Sequence, residues 1–254
     1  MFATYLSIAH KIMSTFITTF VVGGLHWFLQ ALMFFTTPQT PSPMDSSSSL
    51  HPAVAAYVAE RSQEFDQITS ERKAVLAQMA VFVREQVAAQ APVKMVFICT
   101  HNSRRSHFGQ VWAAVAAYHY GIEGVETYSG GTEATACNPR TIAALARVGM
   151  EITAQSTGDN PLYHIRYAAE VAPVVAFSKK FGDTPNPTQG FCAVMTCTQA
   201  DEACPFVPGA LKRFATPYED PKAFDGTPDE ARMYDERCRQ IARELLYVFS
   251  LLKK

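Results

Sequence analysis

The sequence places Cys99, Arg105 and Ser106 in one short run, Cys99-Thr100-His101-Asn102-Ser103-Arg104-Arg105-Ser106. A thiolate is a strong nucleophile, and a guanidinium presents a planar fork that matches two oxygens of a tetrahedral oxyanion. A hydroxyl beside a thiolate stabilises it by hydrogen bonding, both as nucleophile and as leaving group. If the run is a tight loop feeding a helix, its backbone N–H groups converge on one point, and the helix dipole adds about half a positive charge there. That field favours the Cys99 thiolate. Thr100, His101, Asn102, Ser103, Arg104, Arg105 and Ser106 are therefore the candidate oxyanion cradle. Asn102 tolerates unusual backbone angles, and a second arginine, Arg104, is expected to raise the positive potential at the mouth. The competing reading is a buried structural cysteine with Arg105 in a surface ion pair.

What flanks the run decides between these readings. Residues 94–99 form a short β-rich apolar stretch of the kind buried in a parallel sheet, and residues 107–120 follow it as a helix. Further strands are predicted at 125–129, 171–177 and 191–196. Further helices are predicted at 139–148, capped by Asn138 with Pro139 at its first position, at 162–169, and at 228–252 with Thr227 as its cap. Residues 52–90 carry apolar side chains at helical spacing, broken near 62–69, and read as one or two amphipathic helices. Alternating strands and helices imply a doubly wound α/β fold on a four-stranded parallel sheet, with extra N-terminal helices. Such a fold binds its ligand at the carboxyl ends of the strands, where the strand order reverses. Cys99 stands at such an end.

The run VFICTHNSRRS, set between strand and helix, resembles the oxyanion loop of the low-molecular-weight protein tyrosine phosphatases and of the arsenate reductases that share their fold. The resemblance spans about residues 93–254. It implies Cys99 as nucleophile, Arg105 as oxyanion ligand, and Asp220 of TPYEDPKAF as general acid on an Asp-Pro loop, with Asp225 a weaker candidate. It also implies that Ser129, in Tyr128-Ser-Gly-Gly-Thr, supports the loop Asn102.

The family's phosphatases carry aromatic residues directly after the Asp-Pro, to stack on a phosphotyrosine ring. Here Lys222 and Ala223 follow, with Tyr218 and Phe224 as nearby substitutes. The stretch from Met195 to Pro205 resembles instead the redox segment of thioredoxin-coupled arsenate reductases, which gives Cys197 and Cys204 a redox role. If residues 198–203 are helical, those cysteines lie about 10 Å apart along the axis. A disulfide tolerates a Cα separation of only about 4.4–6.8 Å, so oxidation has to unwind the segment. Cys137, Cys192 and Cys238 match no family role and read as structural. His101, His107 and His119 fit no metal-ligand spacing, and neither a metal nor another cofactor is expected.

With 22 Lys+Arg against 23 Asp+Glu in 254 residues, the chain lacks the basic excess of a nucleic-acid binder, and no nucleic-acid partner is expected. Residues 12–35 carry no formal charge and are long enough to span a bilayer. Lys11, the only formal charge in residues 1–43, would hold that end in the cytoplasm and export the rest, whereas free thiols need a reducing compartment. A membrane anchor, a signal segment, and an upstream stretch outside the working protein with Met44 as its start all stay open, the last favoured.

The expected organisation is therefore an apolar extension at 1–43, a helical segment at 44–92 and a catalytic domain at 93–254. The expected function is cytoplasmic arsenate reduction by a Cys99, Cys197, Cys204 relay served by a thioredoxin-like reductant. The alternative is phosphotyrosine hydrolysis through a phospho-Cys99; a non-enzymatic phosphate sensor fits the activated cysteine least.

Overall fold

The computed structural model describes residues 49–253. The apolar stretch 12–35 and Met44 lie outside the described residues, within which no helix is long and apolar enough to cross a membrane. In chain order the elements are α1 (Pro52–Ser62), α2 (Ser70–Ala88), β1 (Val93–Cys99), α3 (Arg105–His119), β2 (Val125–Gly131), α4 (Pro139–Arg147), β3 (Glu151–Ala154), β4 (Tyr163–Arg166), β5 (Val174–Ala176), β6 (Phe191–Met195), α5 (Thr198–Ala203), β7 (Ala210–Ala215) and α6 (Glu230–Ser250).

Four strands form a parallel sheet in the order β2-β1-β6-β7. The chain leaves β1 toward β2 on one side and returns to β6 on the other, so the order reverses at the end of β1, at Cys99. Within β1, Met95 and Phe97 enter the large core built with α1, α2, α3 and α6, while Val96, Ile98 and the terminal Cys99 enter a smaller core roofed by α5. The loop after Cys99 is thus held by a strand buried on both faces. α3 lies so close to β1 that a Cβ on Gly109 would meet the Phe97 ring at 2.4 Å. Helices α1 and α2 pack on α6 and share the sheet's core.

The four-stranded count holds, but its membership differs from expectation. The stretch 171–177 contributes only β5, the edge of a separate antiparallel sheet β3-β4-β5. The fourth parallel strand is β7, whose Leu211 and Lys212 are exposed, so its apolar signal is weak. Residues 162–169 form no helix: Ile165 is buried and Arg166 exposed, the alternation of a strand paired on both sides. α6 starts after Asp229, two residues beyond the expected cap, because Thr227 Oγ1 donates to Phe224 O and finishes the preceding turn.

Candidate active site

Cys99 is buried at the end of β1, with its Sγ 3.1 Å from Ser106 Oγ. Ser106 Oγ also accepts from Asn102 Nδ2 at 2.9 Å, which leaves the hydroxyl proton to point at sulfur. Asn102 adopts a left-handed φ of 44°, as its residue type allows, and its Oδ1 accepts the Lys179 backbone N–H at 2.9 Å. His107 Nε2 donates to Asn102 O at 2.8 Å. Burial, helped by the Lys179 charge, pulls His107 down to about 3, so the imidazole is neutral and a fixed donor. Ser129 does not touch the Asn102 side chain, contrary to expectation. Its Oγ donates its one proton to Gln110 Oε1 at 2.7 Å and lies 3.2 Å from the unprotonated His107 Nδ1, so it packs beside the imidazole that braces Asn102 without holding the Asn102 side chain itself.

Arg105, buried at the start of α3, donates through Nη2 to Asp220 Oδ2 at 2.7 Å and through Nη1 to Tyr218 O at 2.9 Å. Its Nε is buried with no hydrogen-bond partner, a donor left over for an anion. Arg104 does not raise the charge at the mouth. Its Nε donates to Tyr234 Oη at 2.8 Å, and carboxylates of Asp225 and Asp220 lie 3.7 and 3.9 Å away, so its charge is matched inside the fold.

An open pocket of about 560 Å³ sits beside Arg105 and Asp220, lined also by Thr198, Gln199, Glu219, Lys222 and Ala223. Tyr218 borders it, but its hydroxyl is buried and donates to Glu244 Oε2 at 2.9 Å. Phe224 is not in the lining. No aromatic wall of the kind a phosphotyrosine ring stacks on is assembled there from Tyr218 and Phe224.

Cys197 is fully buried as the N-cap of α5, its Sγ 3.4 Å from Thr100 Oγ1 and 3.4 Å from Ala200 N. Cys99 and Cys197 share the small apolar cluster under the loop, and half-buried Cys204 packs against its edge at the other end of α5. The structure thus gathers three cysteines around one sheet edge. Burial pushes Cys137 and Cys238 up to about 12 and raises Cys192 further; those thiols stay protonated and inert.

Sequence reasoning missed Tyr218 O as a ligand of Arg105, His107 as a brace, and Gln199 and Glu219 as pocket lining. Only the polar content of α5 hinted at Gln199.

The model of a family described as "Low molecular weight phosphotyrosine protein phosphatase" matches residues 94–166. "Arsenate reductase 2" of Staphylococcus epidermidis is 30% identical over 129 residues, covering 49% of this chain and 76% of its own. The arsenate reductase of Shouchella clausii is 29% identical over 143 residues, covering 56% and 84%. A low-molecular-weight phosphotyrosine phosphatase of Vibrio cholerae aligns in structure with a TM-score of 0.44 at 10% identity, over 64% of this chain and 97% of its own.

Proposed function

We propose, from the premise that this chain belongs to the low-molecular-weight phosphotyrosine protein phosphatase family, in which arsenate reductases are its relatives, that it reduces arsenate. The chain is an enzyme of the phosphatase or arsenate reductase type. Arsenate is a tetrahedral oxyanion, so the loop from Thr100 to Ser106 binds it as it would phosphate, with the unpartnered Arg105 Nε–H donating to one of its oxygens.

Cys99 thiolate attacks arsenic(V), and a hydroxyl leaves as water with the proton given by Asp220. The Cys197 thiolate then attacks Cys99 Sγ. A sulfur–sulfur bond forms, the sulfur–arsenic bond breaks, and its electron pair leaves on arsenic as arsenite. Cys204 attacks Cys197 next, freeing Cys99 and leaving a Cys197–Cys204 disulfide for a dithiol reductant of the thioredoxin kind. This chemistry belongs in the reducing cytoplasm, where it confers arsenical resistance. Residues 93–254 are the catalytic domain, and α1 and α2 are helices added ahead of it.

The observation that carries the reading is Cys197: a buried thiol 3.4 Å from Thr100 Oγ1, in the same apolar cluster as Cys99. A phosphatase has no use for it. The second reading, hydrolysis of a phosphomonoester through phospho-Cys99, draws support from Asp220 standing at the pocket on Arg105. The two separate in a Cys197→Ser, Cys204→Ser double variant. Multiple-turnover arsenate reduction with thioredoxin should collapse while aryl-phosphate hydrolysis survives. Full arsenate turnover in that variant, or none in the wild type, would hand the assignment to the phosphatase reading.

A further inference from the structure

The segment from Thr216 to Asp220 carries the general acid, and it is held from two sides. From within, Thr216 N–H donates to Met195 O at 2.9 Å and Tyr218 N–H to Thr196 O at 3.1 Å, which extends β6 pairing into the loop. From outside it is held by Arg72 of α2, a helix that precedes the segment the family model matches. Arg72 Nη2 donates to Pro217 O at 2.7 Å, and its guanidinium lies 5.2 Å from the centre of the Tyr218 ring. Arg72 Nε also stands 3.6 Å from Glu244 Oε2, the oxygen that accepts the Tyr218 hydroxyl at 2.9 Å.

Glu244 is 2% exposed. Burial raises its carboxyl, and Arg72 is the foremost group drawing it back toward the charged form. One guanidinium therefore grips a backbone carbonyl, covers an aromatic ring and balances the buried carboxylate that anchors that ring. On the far side of the same residue, Tyr218 O holds Arg105 Nη1, and Asp220 follows two residues later.

The geometry points to Arg72 as a positioning residue for the Asp220 loop, so that the N-terminal helices set the aim of the proton donor. It touches no substrate and acts through Pro217, Tyr218 and Glu244. The inference rests on the assignment of Asp220 as acid. Without Arg72 the carbonyl of Pro217 loses its donor, Glu244 loses its counter-charge, and the loop is free to shift by a fraction of an ångström. Protonation of a leaving group is sensitive to displacements of that size.

The test uses aryl phosphates of graded leaving-group acidity with the full chain, reading kcat/KM. A dinitrophenolate leaves without help, whereas an unsubstituted phenolate needs the proton. Arg72→Ala should cost about tenfold on phenyl phosphate and less than about threefold on dinitrophenyl phosphate, following Asp220→Asn in direction; Arg72→Lys should recover part of the loss. A uniform loss across the series in Arg72→Ala, beside a graded one in Asp220→Asn, overturns the role of Arg72 alone. A flat series in Asp220→Asn overturns the acid assignment and this inference with it. If the wild type hydrolyses no aryl phosphate, amide exchange at Tyr218 decides. It should quicken about tenfold in Arg72→Ala, and an unchanged rate refutes the clamp.

Discussion

Asn102 is the residue on which the loop's shape turns, and replacing it separates two physical contributions. Its Oδ1 takes the Lys179 N–H and its Nδ2 serves Ser106 Oγ, both at 2.9 Å and fully buried, while its φ of 44° lies where most side chains are strained. Asn102→Ala strands the buried Lys179 N–H, which costs about 1–3 kcal/mol, and holds an alanine in the left-handed region, which costs about 1 kcal/mol more. The sum is about 2–4 kcal/mol. Asn102→Gly removes the same hydrogen bonds without the backbone strain, so it should be about 1 kcal/mol more stable than the alanine variant. Urea unfolding at unchanged slope reads both differences as midpoints. Both variants should also lose about a hundredfold in kcat/KM, because a loop misplaced by about 1 Å no longer aims its donors. An Asn102→Gly protein with wild-type stability and activity would refute the claim that this amide holds the loop.

Ser106→Ala removes the hydroxyl 3.1 Å from Cys99 Sγ. A hydrogen bond to a charged acceptor is worth about 1.5–3 kcal/mol, so steady-state turnover should fall about tenfold to a hundredfold with the fold intact by circular dichroism. His107 is held near 3 in the folded protein, against about 6.5 in the unfolded chain. The unfolded state therefore binds the proton first, and the stability contributed by the neutral imidazole, fully present above about pH 6.5, is lost as pH falls toward 3. Urea midpoints between pH 7 and 4 should drop more steeply in wild type than in His107→Gln; equal slopes would show that His107 is not the group titrating.

The candidate oxyanion loop was legible because its proposed chemistry is local. Cys99, Arg105 and Ser106 are near neighbours in sequence, and the strand and helix beside them impose the geometry. α5 was legible for a related reason, since its polar, alanine-rich run between two cysteines has helix-forming residues and the preceding Cys197 supplies the cap. β7 was not, because an edge strand facing solvent needs no apolar alternation. Residues 163–166 were misread as helix because four residues are too few for either periodicity to declare itself, and pairing with β3 and β5 settles their state. The roles of Arg104 and Arg72 were hidden for another reason. Their partners Tyr234, Asp225, Pro217 and Glu244 lie more than a hundred residues downstream, and only the fold brings them together.

Cys197 and Cys204 bear the central claim, and a single turnover reads it most directly. Reduced full-length protein is mixed with less than one equivalent of arsenate and no reductant, quenched with an alkylating agent, and mapped for disulfides while arsenite is counted. The account predicts one Cys197–Cys204 disulfide for each arsenite released, Cys99 recovered as a free thiol, and a loss of helical signal as α5 unwinds to bring the two sulfurs together. Arsenite released with Cys197 and Cys204 still alkylated as thiols, or no arsenite at all, would contradict it.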